Sequence, residues 1–321
     1  MLALTLSQLL DNGTKYPKGQ IGIEIEVEFP QPQEWDLNTK VWGFNTEHSI
    51  RNNGYEIISK KPLELEALEH LVASVCENIN GRSPIADCPR TSVHIHVNQA
   101  NNQVLHVLNS MVVYWLLETP LTRYCGEERE GHHFCLRLKD AEALIPVLCD
   151  SISSSNPLRF TDRVRYAGLN LDALNKFGSL EFRTMRGTTD AQLIISWAKA
   201  MHHLCDVAKT FESPAHVFDY FLDHSKEEFI RKFLTPELAG VVLSIPGHSG
   251  MMDESASIVC ALAYHEDWME WSERQKDKKV EEIIKKPKGV FDPDMFLHPA
   301  PSYYDDISTV GYNGAHPNLS V

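Results

Sequence analysis

Alternating apolar and polar residues predict a β-strand near the start of the chain. Between residues 21 and 29 apolar side chains occupy every second position, up to Phe29, and the intervening positions end with Glu24, Glu26 and Glu28. Because successive side chains of a strand point to opposite faces, the three carboxylates share one face and the apolar residues share the other. We therefore expect a strand with one buried face and one acidic face.

A second alternating segment, residues 91–98, carries imidazole groups. Its valines and isoleucine occupy one face, and His94, His96 and Asn98 occupy the other. A third segment, residues 179–184, adds a carboxylate and a guanidinium group.

Residues 169–171 and 179–184 are predicted to form a hairpin around a turn at residues 175–178, and Glu181 and Arg183 project from its polar face. Together, the three polar strand faces can offer carboxylate, imidazole and guanidinium groups from one concave surface of a sheet.

Apolar residues spaced three and four apart predict helices in much of the remaining chain. Strands and helices do not alternate as a regular βαβ series, so the predicted fold class is α+β, with an antiparallel or mixed sheet backed by helices on one face. The tail from Pro287 onward has little periodicity. A further strand is expected to begin at Gly54, and the expected helices cover residues 62–80, 100–119, 139–150, 190–211 and 255–285.

The charge balance narrows the classes of partner. The chain of 321 residues has a net charge of −14, which argues against a broad nucleic-acid-binding surface. Its seven cysteines form no CxxC pair, as is typical of reduced thiols in the cytoplasm. The apolar run of residues 104–121 is interrupted by His106, Asn109 and Glu118, which favours a core helix over a membrane span. We therefore expect a cytoplasmic protein that does not bind membranes.

The acidic strand predicts a bound cation. Carboxylates two residues apart on one strand face repel each other, so Glu24, Glu26 and Glu28 together need a counter-charge, which Mg²⁺ can provide through oxygen ligands. Each strand taken alone also fits a plainer interpretation. The glutamates can form a solvated sheet face, the histidine pair can arise by chance in a chain with 15 histidines, and Glu181 with Arg183 can be a surface ion pair.

Arginines are concentrated in one part of this acidic chain: Arg159, Arg163, Arg165, Arg183 and Arg186. The guanidinium group suits two-point binding of phosphate or carboxylate. The first two arginines fit a solvated loop, whereas Arg165 and Arg183 lie beside strand-like segments and are the better candidates for an anion site. The chain contains no P-loop, dinucleotide-binding glycine loop, GxSxG elbow or HExxH motif, so a nucleotide would be held in another way.

Five short segments occur in an order that resembles a known family. They are residues 22–28 (GIEIEVE), 54–59 (GYEIIS), 92–98 (SVHIHVN), 165–171 (RYAGLNL) and 178–188 (GSLEFRTMRGT). In this order they resemble the amidoligase family, carboxylate–amine ligases related to glutamine synthetase and glutamate–cysteine ligase. The resemblance covers about residues 20–205. It implies a glutamine synthetase-like catalytic fold, in which a curved antiparallel sheet carries a funnel-shaped site for ATP and two or more Mg²⁺ or Mn²⁺ ions.

The resemblance also implies roles for particular residues. The implied metal ligands are Glu24, Glu26, Glu56, Glu64, His94 and Glu181. The implied nucleotide-binding residues are His96, Asn170, Arg183 and Arg186. The implied catalytic residues are Arg165, Glu181 and Arg183.

The implied activity is the ATP-dependent formation of an amide or isopeptide bond. Phosphoryl transfer from ATP to a carboxylate gives an acyl phosphate, which an amine then attacks. Metal ions and arginine stabilise the charge on the transferring group. Glu28 or Glu64 is a candidate base for the amine proton. The substrates are expected to be a small-molecule or peptide carboxylate and an amine, whose identities the sequence does not specify, and it leaves the oligomeric state open.

Two other functions remain open. Metal-dependent phosphohydrolases of the triphosphate-tunnel type also begin with Glu-x-Glu on a strand, although a lysine is expected where this chain has Glu28. A cupin-like metal protein would use the histidines and a later glutamate, but it leaves Glu24, Glu26 and Arg183 without a role. The expected domain organisation is an amidoligase-like catalytic domain in residues 1–240, followed by a helical extension and irregular tail in residues 241–321, packed on the same body.

Overall fold

The computed structural model describes residues 4–10, 18–28, 35–47, 50, 52–80, 86–141, 143–155, 157–160 and 164–285. Three features of the sequence predictions, Phe29, Arg163 and the tail from Pro287 onward, lie outside the described residues.

Among the described residues, six strands form one antiparallel sheet, where the sequence predicts an antiparallel or mixed one. Every neighbouring pair is antiparallel, and the order across the sheet is β2-β3-β1-β4-β6-β5. The strand that carries the glutamates, β1, therefore pairs directly with β4, which carries the histidines. The strands are β1 Ile21–Val27, β2 Trp42–Thr46, β3 Tyr55–Ser59, β4 Val93–Asn98, β5 Leu169–Asn170 and β6 Ser179–Phe182.

Helices cover the apolar face of the sheet, which confirms the α+β class. They are α1 Leu6–Leu10, α2 Leu65–Asn80, α3 Val104–Cys125, α4 Leu144–Ser153, α5 Asp172–Phe177, α6 Ala191–Ala208, α7 Pro214–Asp223, α8 Lys226–Phe233, α9 Pro236–Ser244, α10 His248–Ala263 and α11 Trp268–Lys285. The core lies between the sheet and α3 with α6. For example, Tyr114 of α3 packs edge-on against Phe182 of β6, with ring centroids 5.0 Å apart.

The central helix α3 has the length and apolar composition of a membrane span, but 94% of its most apolar window is buried inside the protein. Its buried faces contact α6 on one side and α10 on another. Burial on all sides explains why its apolar residues form a continuous run instead of a stripe.

Two predicted elements differ from the structure. The turn expected at residues 175–178 belongs to α5, which ends at Gly178 in the left-handed conformation (φ 67°) that glycine adopts without strain. The helix expected over residues 255–285 is two helices, α10 and α11. They separate because the side chain of Asp267 caps α11 by accepting from two backbone N–H groups, and Trp268 Nε1 donates to Ala263 O at 2.7 Å.

The chain divides into two compact units. Residues Met1–Lys279 form the first, and it contains the sheet and helices α1 to α10. Of the second, Val280–Val321, the structure describes only the last residues of α11. The functional boundary expected at residue 240 stays a prediction. Within the first unit, α10 lies beyond that boundary and packs against α3.

Candidate functional site

The strand register brings polar residues of five strands, β1, β3, β4, β5 and β6, together on the sheet face opposite α3 and α6. Residues in register on neighbouring antiparallel strands lie on the same face with their side chains in contact distance. The pairs are Glu24–His94, Glu26–Glu56, His96–Glu181 and Asn170–Glu181. These cross-strand pairs form one cluster, which we call the carboxylate–histidine cluster.

Glu24 lies at the centre of this cluster, between two imidazole rings. Its Oε2 is 2.9 Å from His94 Nδ1 and its Oε1 is 3.0 Å from His96 Nε2. Burial opposes ionisation of Glu24, but the two imidazoles together hold the pKa of this carboxyl well below its usual range. In turn, burial lowers the pKa of His96, and the stronger combined effect of Glu24 and Glu181 raises it. The arrangement is an ionised carboxylate shared by two ring N–H groups.

Gly22 makes room for one of these rings. It lies opposite His96 in the register, and a Cβ atom at this position would be 3.0 Å from the Cβ of His96. A side chain at residue 22 would therefore push the His96 ring out of the position where it contacts Glu24.

Glu181 is the second buried carboxylate of the cluster, with 4% of its surface exposed. Asn170 Nδ2 donates to its Oε2 at 2.6 Å, and the guanidinium of Arg183 donates to its Oε1. Burial raises the pKa of Glu181, but the positive charges of Arg183 and His96 outweigh this effect. The pKa therefore lies below its usual value, and the group is ionised. The same Arg183 Nη1 lies 3.4 Å from His94 Nδ1, so the arginine lies beside the histidine as well as Glu181.

The other end of the cluster is acidic. Ser92 Oγ donates to Glu26 Oε2 at 2.6 Å and contacts His94 Nε2 at 2.8 Å. Glu56 lies opposite Glu26 in the strand register. Its pKa is raised to about 10, mainly by burial and then by the charges of Glu24, Glu26 and Glu47. In the absence of a cation, Glu56 therefore carries a proton at neutral pH.

Two groups of side chains among the described residues can each hold a metal ion. One is Glu24, Glu56 and His94, and the other is Glu24, His96 and Glu181. In each group one ligand atom from every residue lies within 4.8 Å of the others. This spacing suits a divalent ion, which sits about 2.0–2.5 Å from each ligand. Such an ion would replace the protons that the histidines and glutamates share in the metal-free arrangement.

A pocket of about 250 Å³ adjoins the cluster beside Glu24 and His96. Three lysines, Lys60, Lys61 and Lys176, contribute to its lining together with Phe177. The ring of Phe177 is 54% exposed and meets His96 edge-on, with centroids 5.6 Å apart. This end of the site therefore combines positive charge with an exposed aromatic ring, in contrast to the acidic end at Glu26 and Glu56.

Three predicted site residues have no hydrogen bond or ion pair to the cluster in the described part of the chain. Glu64 is exposed. Arg165 is exposed and lies over the Tyr166 ring, with its Cζ 5.3 Å from the ring centroid. Arg186 donates to Cys125 O at 3.1 Å. Their predicted roles stay predictions, whereas the remaining predicted residues meet in the cluster.

Sequence reasoning missed three residues that hold the site together. Ser92 and Ser179 orient the two histidines, the latter through a 3.0 Å contact between its Oγ and His96 Nδ1. Both serines lie within motif segments, so their spacing to the histidines is a usable signal. Arg129, which is described below, lies outside those segments.

No protein-family model matches the chain, and no curated protein matches it.

Proposed function

We propose that the protein is an ATP-dependent carboxylate–amine ligase with a glutamine synthetase-like catalytic fold, forming an amide or isopeptide bond through an acyl phosphate. The observation that carries this proposal is the meeting of Glu24, His94, His96, Glu181 and Arg183 on one sheet face. These groups combine potential metal ligands with an arginine, which is what the transfer of an anionic phosphoryl group requires.

The donor set fits Mg²⁺ or Mn²⁺. Carboxylate oxygens dominate both ligand groups, with one imidazole in each, and oxygen donors are what these hard cations prefer. The proton on Glu56 supports the same assignment, because a nearby dication would remove the need for it. When bound, the metal ions would neutralise the phosphate oxygens of ATP and the charge that spreads over the transferring group.

The pocket beside His96 supports a place for the nucleotide. Lys60 and Lys61 can neutralise phosphates, whereas Lys176 already pairs with Asp172 at 2.7 Å, and Phe177 offers a ring for stacking against a base. From this pocket a triphosphate would extend towards Glu24 and Glu181. Arg183, fixed by Glu181, would then contact the transferring phosphoryl group.

In the proposed reaction a carboxylate oxygen of the acid attacks the γ-phosphorus, and the bond from this phosphorus to the ADP oxygen breaks. The amine nitrogen then attacks the acyl carbon, the carbon–oxygen bond to phosphate breaks, and inorganic phosphate leaves. The amine loses a proton in this step, and Glu28 is a better candidate than Glu64 for the base that accepts it. Glu28 follows the acidic face of β1, is 7% exposed and accepts from Asn52 at 2.8 Å, whereas Glu64 is exposed.

The test combines binding and turnover. Calorimetry should detect Mn²⁺ and then ATP in the presence of Mn²⁺, and ADP release should rise when the right acid and amine are added. Glu181→Gln and Arg183→Ala should abolish turnover with little loss of folding. Glu66→Gln is the matched control, because it removes an exposed carboxylate that lies outside both ligand groups and has no predicted role in the site.

Two outcomes would favour the alternatives. Stoichiometric zinc or iron in the purified protein, with no response to ATP and Mg²⁺, would support the cupin-like protein. Rapid cleavage of inorganic tripolyphosphate that needs neither an acid nor an amine would support the tunnel-type phosphohydrolase.

A further inference from the structure

Arg129 is buried behind the strand end that carries Arg183. It lies in a short 3₁₀ helix, Glu127–Arg129, directly after α3, and 1% of its surface is exposed. Its Nε donates to Thr184 O at 2.9 Å and its Nη2 donates to Arg183 O at 2.8 Å. The planar guanidinium thus holds two consecutive backbone carbonyls at the point where β6 ends.

No carboxylate lies within ion-pair distance of Arg129 in the described ranges. Removing a guanidinium from water costs several kcal/mol, and here backbone carbonyls are the acceptors that offset the loss of hydration. A neutral side chain could fill similar space at a lower desolvation cost, whereas a lysine would cost more, because its ammonium group is more strongly hydrated. The specific property of arginine is its rigid fork of donors, which matches the two carbonyls.

The segment that contains Arg129 also holds the side chain of Arg183. Phe134 O accepts from Arg183 Nε at 3.3 Å. The segment is itself anchored on α3, because Leu138 N donates to Glu118 Oε2 at 2.6 Å. The main chain and the side chain of Arg183 are therefore fixed by the same ten-residue stretch, residues 129–138.

We propose that Arg129 is a positioning residue, which sets the direction in which Arg183 enters the carboxylate–histidine cluster. Its functional consequence rests on the proposed function, in which Arg183 contacts the transferring phosphoryl group. Loss of the fork would let the strand end at residues 183–184 shift. Arg183 would then lose its contact with Phe134 O and its alignment on Glu181, and a displacement of about 1 Å in a reacting site can cost about 100-fold in rate.

The first measurement needs no activity. In protein labelled with ¹⁵N-arginine, hydrogen exchange of the Arg183 Nε–H should be at least about tenfold faster in Arg129→Lys than in the unmodified protein, because its bond to Phe134 O opens more often. Arg137→Lys is the matched control. Arg137 lies in the same segment and is 9% exposed, but it pairs with Glu130 and Asp140 and does not contact Arg183.

The second measurement is a double-mutant cycle on the rate of ADP release. Arg129→Lys should lower kcat by about 100-fold with little change in the KM for ATP, and should have no further effect once Arg183 is replaced by lysine, which keeps the charge and a measurable residual rate. Arg129→Gln, which keeps one donor for a carbonyl, replaces the lysine variant if that variant does not fold.

Unchanged exchange of the Arg183 Nε–H, or equal acceleration in Arg137→Lys, would overturn the proposal. So would an effect on kcat that adds fully to that of Arg183→Lys, since a purely structural loss would do this. If the unmodified protein neither binds nor hydrolyses ATP, the proposed function fails, and the exchange measurement still decides whether Arg129 positions Arg183.

Discussion

Replacing Glu56 with glutamine should make the metal-free protein more stable, and increasingly so as the pH rises. In the folded protein, burial and three neighbouring glutamates raise the pKa of Glu56 to about 10. In the unfolded chain this carboxyl ionises near its ordinary value of about 4.3. Between these two values the folded state holds a proton that the unfolded state has released, so stability falls as the pH increases.

The size of this effect follows from proton linkage. Each pH unit between the two pKa values lowers the free energy of unfolding by about 1.4 kcal/mol for one such group. From pH 6 to pH 8 the unmodified protein should therefore lose about 2–3 kcal/mol that the glutamine variant does not lose. Glutamine has nearly the same shape and keeps a donor for Glu24, which the protonated Glu56 provides in the unmodified protein.

Urea denaturation in the presence of a chelator, at pH 6, 7 and 8, measures this difference. The difference in unfolding free energy between the two proteins should grow with pH, and Mn²⁺ should stabilise the unmodified protein more than the variant. Glu66→Gln serves as the control, because Glu66 is exposed and has no predicted role in the site. A difference that stays constant from pH 6 to pH 8 would show that Glu56 is not held protonated by its neighbours.

Three further predictions concern the cluster and its pocket. Glu24→Gln should weaken Mn²⁺ binding by more than about 100-fold in calorimetric titrations, because Glu24 belongs to both ligand groups, and binding as tight as that of Glu66→Gln would refute its role. Gly22→Val should displace His96, which crystallography of the variant would reveal, and an unmoved ring would contradict the steric argument. Phe177→Ala should weaken ATP binding by about tenfold or more while leaving tripolyphosphate binding unchanged, and equal losses for both ligands would rule out stacking on the ring.

The sequence predicts much of the site because strand periodicity determines which face each side chain occupies. The two-residue alternation places Glu24 and Glu26 on one face of β1, and His94 with His96 on one face of β4. It does not determine which strands are neighbours. Glu24 lies between both histidines because β1 pairs with β4. This pairing joins distant parts of the chain, and local periodicity does not predict it.

Other features have no local signature in the sequence. The edge strand β2, Trp42–Thr46, follows a proline-rich stretch and is recognisable only through its pairing with β3. The role of Arg129 depends on backbone carbonyls more than fifty residues away, and carbonyls are present at every position of the chain. Spacing therefore indicates the charged members of the cluster but not the buried residue that supports them.

The most direct test of the proposed ligase follows ADP and a trapped acyl group together. The protein is incubated with ATP, Mg²⁺ and a panel of carboxylic acids, with hydroxylamine as a general amine acceptor. We expect at least one acid to yield hydroxamate in equal amount to ADP, with neither product formed by Glu181→Gln. ADP formation that is independent of every acid, with no hydroxamate, would contradict the account.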